Sequence, residues 1–186
     1  LYRASDFQLN GNAVLTLNGP VDIISAADAT VNGSAKIVLN AGSTVSFNLY
    51  CANTITLNGA GMVNGTNDPS KASIWGTKPS TGTQSIEING NAAFYGTVYA
   101  PNANIQINGS AGMFGAVVGK TTSLAGSSAI HYDVKLSRAT VSGGPTPGVG
   151  SSSGTIRVTS WVELKDAPGS GLAFARDVRA PFDTLF

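Results

Sequence analysis

Ile86-Glu87-Ile88-Asn89-Gly90 and, at a shift of 19, Ile105-Gln106-Ile107-Asn108-Gly109 carry one pattern twice: apolar, polar, apolar, Asn, Gly. The alternation is the period-two signature of a strand with one buried face. Asn-Gly then supplies a turn, because glycine accepts positive φ without steric cost. The match runs past the turn, with the same shift laying Ala92 on Ala111, Tyr95 on Phe114, Gly96 on Gly115 and Val98 on Val117. A shift of 31 in the other direction lays Ile55, Leu57, Asn58, Gly59, Val63 and Gly65 on Ile86, Ile88, Asn89, Gly90, Phe94 and Gly96. The excess length falls on Thr66 to Gln84, which reads as a loop of residues 66–84 inserted in one repeat.

Working outward, Asn-Gly also occurs at Asn10-Gly11, Asn18-Gly19, Asn32-Gly33 and Asn64-Gly65, each after Leu or Val. Leu15-Thr16-Leu17 and Ile55-Thr56-Leu57 precede two of the pairs, and degenerate copies stand at Ile37-Val38-Leu39-Asn40 and Leu124-Ala125-Gly126. Hairpins also use Asn-Gly turns, and they account for the closely spaced pairs at Asn10/Asn18 and Asn58/Asn64. They do not account for similarity that continues beyond the turn. Self-similarity at a period of roughly 20 residues, without helical periodicity, predicts an all-β fold. The expected fold is a single-stranded parallel β-helix, or β-solenoid, with coils of about 17–22 residues, against an antiparallel sandwich as the competing topology. Leu57, Ile88 and Ile107 are then expected to pile into an apolar column. Asn58, Gly59, Asn89, Gly90, Asn108 and Gly109 become structural turn and ladder residues, their amides hydrogen-bonding between coils.

Composition agrees. Of 186 residues, 42% are hydrophobic and only 11% charged, against about 25% charged in an ordinary soluble domain. A surface dressed in Ser, Thr, Asn and Gly suits strands and turns. The net charge is +1, and no basic stripe exists to follow a phosphate backbone, which argues against nucleic acid as a partner. Cys51 is alone, so neither an internal disulfide nor a multi-cysteine metal site is expected. No run reaches the ~20 apolar residues of a membrane span. The chain opens on Leu1-Tyr2-Arg3 without a methionine, which fits a processed or a cut product, so that any anchor would lie outside it.

Three segments organise the remainder: a solenoid over residues 1–141, a Gly/Ser/Pro-rich linker over 142–155, and a C-terminal strand and tail over 156–186. In that last segment Ile156, Val158, Val162 and Leu164 alternate with polar residues, describing one more strand or cap that docks on the solenoid.

The chemical inventory is nearly empty. Gly119-Lys120-Thr121 resembles the end of a phosphate-binding loop, but the required first glycine would be Phe114, and the segment sits in a repeat rather than at a strand-to-helix junction. Gly150-Ser151-Ser152-Ser153-Gly154 matches the hydrolase elbow only as text, because it is linker. His131, the one histidine, has Asp133 nearby but no nucleophile, and reads as the end of the last coil. Glycoside hydrolysis needs two carboxylates about 5–9.5 Å apart. Between Val31 and Tyr132 the only acids are Asp68 and Glu87, and Thr56 and Gln106 occupy the place of Glu87 in neighbouring repeats. An enzyme is therefore not expected, nor any cofactor or metal. Candidate ligand-binding residues are Trp75, Lys71 and Lys78 on the supposed loop, although a tryptophan packed on the rod's flank is the favoured reading of Trp75, since large aromatics are readily buried. Tyr95, Phe114 and Tyr99 are expected to stack in the core, with an aromatic row across coils as the alternative.

Phe94-Tyr95-Gly96-Thr97-Val98-Tyr99-Ala100-Pro101-Asn102-Ala103, Gly115-Ala116-Val117-Val118-Gly119-Lys120 and Ala129-Ile130-His131-Tyr132-Asp133 resemble the repeat domain of bacterial type IV pilus accessory (PilX-like) and anchored adhesin-like surface proteins. Arg157 to Leu164 is similar to the C-terminal strand of that group. The resemblance implies a β-helical domain outside the bacterial cell or on its surface, without catalysis. Its partners would be a host or matrix protein, a glycan, or other pilus and surface subunits. The expected function is a non-enzymatic structural or adhesion module. The alternatives are a self-assembling, bactofilin-like scaffold and a polysaccharide-active enzyme.

Overall fold

A short alternating strand cannot cover its own apolar side, so each must lie against a copy of itself. The computed structural model, which describes residues 1–42, 44–90, 93–109 and 112–138, meets that need by winding the chain into stacked coils. A first face holds β1 (Tyr2–Ala4), β4 (Pro20–Ser25), β7 (Ser46–Cys51), β10 (Ala72–Gly76) and the first part of β12 (Phe94–Gly109). It ends with the first part of β13 (Gly112–Gly126) and with β14 (Ala129–His131). The second face stacks β2 (Phe7–Leu9), β5 (Ala29–Val31), β8 (Ile55–Gly59), β11 (Gln84–Gly90) and the later parts of β12 and β13. Among the described residues a third face contains β3 (Val14–Leu17), β6 (Lys36–Leu39) and β9 (Gly61–Asn64).

Pairing among these strands is parallel throughout, which excludes the sandwich and gives the expected all-β solenoid. Ile86–Gly90 lies in register on Ile105–Gly109 and on Ile55–Gly59, as the sequence repeats require. Leu57, Ile88 and Ile107 form one buried column, and Ile55, Ile86 and Ile105 form another beside it. Each such side chain contributes about 1.5–3 kcal/mol by leaving water.

Several expectations are corrected. Coil length departs from the narrow range expected, since the asparagines of successive coils stand 26, 31 and 19 apart. The longer coils contain a third strand, which lengthens them beyond that range. Ile37-Val38-Leu39 is not an early copy of the Ile55 column: it belongs to β6, over Leu15-Thr16-Leu17. The copy beneath Ile55–Leu57 is Ala29-Thr30-Val31. The shift of 31 also fails beyond Gly59, because Val63 pairs with Val38 on the third face while Phe94 stacks on Met113 on the first. Nor is 66–84 an inserted loop. Its centre is β10, paired with β7 on one side and β12 on the other, because Ala72-Ser73-Ile74-Trp75-Gly76 carries the same inward apolar positions as Phe47 to Cys51. The expected linker and C-terminal strand lie outside the described residues.

Asn64 ends the third face. It stands in the Leu17–Leu39 column and is 3% exposed, so its amide must be satisfied inside the protein. Its Nδ2 donates to the carbonyls of Asp68 (2.9 Å) and Tyr95 (3.1 Å). Its Oδ1 accepts from the Thr66 amide (3.1 Å) and hydroxyl (2.6 Å). These bonds turn the chain into a short 3-10 turn, Pro69–Lys71, capped by Asp68, and deliver it to β10.

Candidate functional site

On the first face, the outward residues two apart on each strand make two rows along the rod. One row runs Asp22, Asn48, Ser73 and Thr97. Asn48 Nδ2 donates to Asp22 Oδ1 at 2.7 Å, and Thr97 Oγ1 donates to Ser73 Oγ at 2.9 Å. The other row runs Ile24, Tyr50, Trp75, Tyr99 and Val118. Tyr50 and Trp75 stack with centroids 6.0 Å apart and planes 11° apart, and Tyr99 tilts at 54° to Trp75 with centroids 5.6 Å apart. The indole N–H reaches Asn48 Oδ1 at 3.5 Å, tying the rows together. Burial, then the charge of Asp22, raises the Tyr50 phenol above its ordinary pKa.

This geometry decides what the rings can do. Trp75 is 6% exposed, and its neighbours cover its faces, so it cannot offer a platform to a flat ligand. Tyr99 closes the stack, is 40% exposed and lies beside Val118, itself 44% exposed. At this end of the aromatic row the accessible apolar contact is therefore Tyr99 with Val118.

The expected trio of Lys71, Trp75 and Lys78 does not form a loop site. Lys71 closes the 3-10 turn and Trp75 is embedded in β10. Lys78 Nζ donates to Asn53 Oδ1 of the preceding coil at 3.0 Å. The aromatic residues expected to stack together in the core divide into two outward stacks. Tyr95 lies on Phe114 and Phe114 on His131, each at 4.7 Å, with planes 13° and 17° apart, while Tyr99 belongs to the Trp75 row. Lys120 donates to Thr83 Oγ1 at 3.3 Å.

The turn residues do form the ladder that their spacing suggests. Asn58 Nδ2 donates to Asn32 Oδ1 (2.5 Å), Asn89 to Asn58 (2.9 Å) and Asn108 to Asn89 (2.7 Å). Gly33, Gly59, Gly90, Gly109 and Gly126 accompany it, and a Cβ on Gly109, where φ is +126°, would collide with the Gly90 carbonyl oxygen. A shorter ladder joins Asn40 to Asn18 on the third face.

A corner between the first and second faces escaped sequence reading. Ser25 Oγ donates to the Asp28 carbonyl at 2.6 Å, and Cys51 Sγ, one coil on, donates to the Thr54 carbonyl at 3.4 Å. Burial first of all raises the Cys51 pKa, so the sulfur stays a thiol that closes a turn. The signal was present as an offset of 26, with Asp22-Ile23-Ile24-Ser25 under Asn48-Leu49-Tyr50-Cys51. It lacks a repeated dipeptide to draw attention.

Glu87 faces outward beside Thr56 and Gln106, and Asp68 caps the 3-10 turn through Ser70. Among the described residues no group of three or more His, Cys, Asp or Glu side chains is placed to hold a metal ion, and no helix is long and apolar enough to cross a membrane.

A family model described as a domain of unknown function, DUF7305, matches residues 1–139. No curated protein and no solved structure matches.

Proposed function

The chain belongs to the DUF7305 family, and from that premise we propose that its solenoid is a non-enzymatic display and adhesion module outside the bacterial cell. The observation that carries the reading is the first face, where hydrogen-bonded and ring-stacked rows fix side chains at coil spacing and leave Tyr99 and Val118 open to a partner. A lateral ladder of this kind costs no ordering on binding, because its side chains are already held. The resemblance of residues 94–133 to pilus accessory and adhesin-like surface proteins supports the bacterial surface as its place. A glycan ring or an apolar side chain of a matrix protein suits Tyr99, since one end of an aromatic stack combines apolar area with a polar rim.

The test is an array of glycans and matrix proteins probed with the full chain, followed by titration of each hit. Tyr99→Ala is expected to weaken binding about ten-fold, the cost of losing one central aromatic contact, with the melting temperature little changed. An array without hits, or a Tyr99→Ala variant that binds as well, defeats the reading.

One observation favours a second reading, end-to-end assembly. The last part of β13, Thr121-Thr122-Ser123-Leu124-Ala125-Gly126, has no strand on its outer edge among the described residues. It carries none of the charges or prolines that normally blunt an edge, and Leu124, in the column of buried Ile107, is 48% exposed. Sedimentation across a concentration series separates the readings, since a monomer at every concentration rejects assembly.

A further inference from the structure

Asn-Gly is the dipeptide most prone to cyclise, because glycine leaves the following amide nitrogen unhindered. This chain contains the pair at seven places, and the fold treats them unequally. Asn58 and Asn89 are held at both ends, each donating to the coil before and accepting from the coil after. Asn64 is buried and bonded through both side-chain atoms, and the Gly65 amide that would attack it donates to the Leu39 carbonyl at 2.9 Å. Asn18 is held on one side only, by Asn40.

Asn10 differs from all of these. It is exposed, follows the short strand β2, and its side chain makes no hydrogen bond to the described residues. Gly11 adopts φ +66°, and the space where a Cβ would stand is empty to 4 Å. The Asn10 carbonyl is engaged only in a turn with the Ala13 amide at 3.3 Å.

We propose that Asn10-Gly11 is a site of spontaneous deamidation, and that the asparagine ladder protects the same dipeptide in the later coils. The Gly11 amide nitrogen attacks Cγ of Asn10. The bond from Cγ to Nδ2 breaks, ammonia leaves with the amide proton, and a cyclic imide forms. Water then opens the imide at either carbonyl, giving aspartate or isoaspartate at position 10. In a ladder asparagine, the same rotation of the side chain first breaks one or two amide hydrogen bonds. The isoaspartyl product lengthens the main chain where Leu9 and Gly11 accept from Asn32 and Ser34, so it loosens the first coil from the second.

The experiment is peptide mapping of the full chain by mass spectrometry, with isoaspartate-specific detection, through a time course at mildly alkaline pH. In the folded chain position 10 is expected to convert about ten-fold or more faster than Asn58 or Asn89, the rate equivalent of the bonds that must break. In denaturant the seven pairs are expected to convert at similar rates. Asn32→Ala removes the acceptor of Asn58 and is expected to speed conversion there, whereas Asn32→Asp keeps an acceptor and is not. Conversion of Asn58 or Asn89 as fast as Asn10 in the folded chain overturns the proposal, and so does an Asn58 indifferent to Asn32→Ala.

Discussion

The first three coils and the last coils solve one packing problem in different ways. Residues 1–64 wrap three faces around the core, with Ile37 and Leu39 of the third face fully buried. Residues 94–126 fold back after two faces, and the residues stacked over one another fall from 26 apart to 19. What separates the regions is the content of single columns. The third face closes where Leu39 gives way to Asn64, and the first face narrows where Phe47 and Ala72 give way to Gly96 and Gly115. A solenoid can therefore change cross-section without losing register, provided that the exchanged residue satisfies its own polar atoms or occupies no space.

The severest way to break the comparison is to delete residues 66–84, which removes the strand that joins the two regions. Loss of β10 exposes both β7 and β12, and the expected outcome is loss of cooperative thermal unfolding, because the lost burial exceeds the roughly 5–15 kcal/mol that holds a domain together. A chain that still melts cooperatively would restore the inserted-loop reading. Next comes glycine. Gly109→Ala drives a Cβ into the Gly90 carbonyl at positive φ and is expected to cost more than about 3 kcal/mol by denaturant titration. Gly11→Ala, equally left-handed but facing open space, should cost only about 1–2 kcal/mol.

Asn64→Leu continues the apolar column of the third face yet strands the Thr66 amide. A loss of about 1–3 kcal/mol is expected, the penalty of an unsatisfied buried donor, whereas a neutral result would mean that the third face ends for another reason. The smallest effect is electrostatic. Burial acts to raise the Asp68 pKa, but hydrogen bonds from the Ser70 hydroxyl and amide, with the charges of Lys135 and Lys71, outweigh it and leave the carboxyl below its ordinary value. Its contribution is then complete above the unfolded pKa and is lost as pH falls through the lower folded one. Asp68→Asn should flatten that acidic limb of the pH–stability profile and leave neutral and alkaline stability nearly parallel to the parent.

The second face was legible because its columns repeat a conspicuous phrase, and the registers of Asn58, Asn89 and Asn108 follow directly from it. The same phrase hid the third face. Leu15-Thr16-Leu17-Asn18-Gly19 has the identical pattern, and nothing local in a strand records which side of a coil it occupies. The candidate site was harder to see. Tyr50, Trp75 and Tyr99 meet across unequal spacings with no shared letters around them, so a tryptophan packed on the flank could be expected but its ring partners could not. Ring stacking is a property of the assembled face, whereas the Asn-Gly signal is a property of the dipeptide.

The asparagine ladder also has a direction. Every amide in it gives its hydrogen toward the first coil, so the side-chain dipoles add head to tail as peptide dipoles do along a helix. Ala125 follows Asn108 in the column, and the Asn108 oxygen is buried with no partner among the described residues. The ladder is in this sense electrically polar, with the negative end of its amide dipoles at Asn108, where an added N–H would find an acceptor.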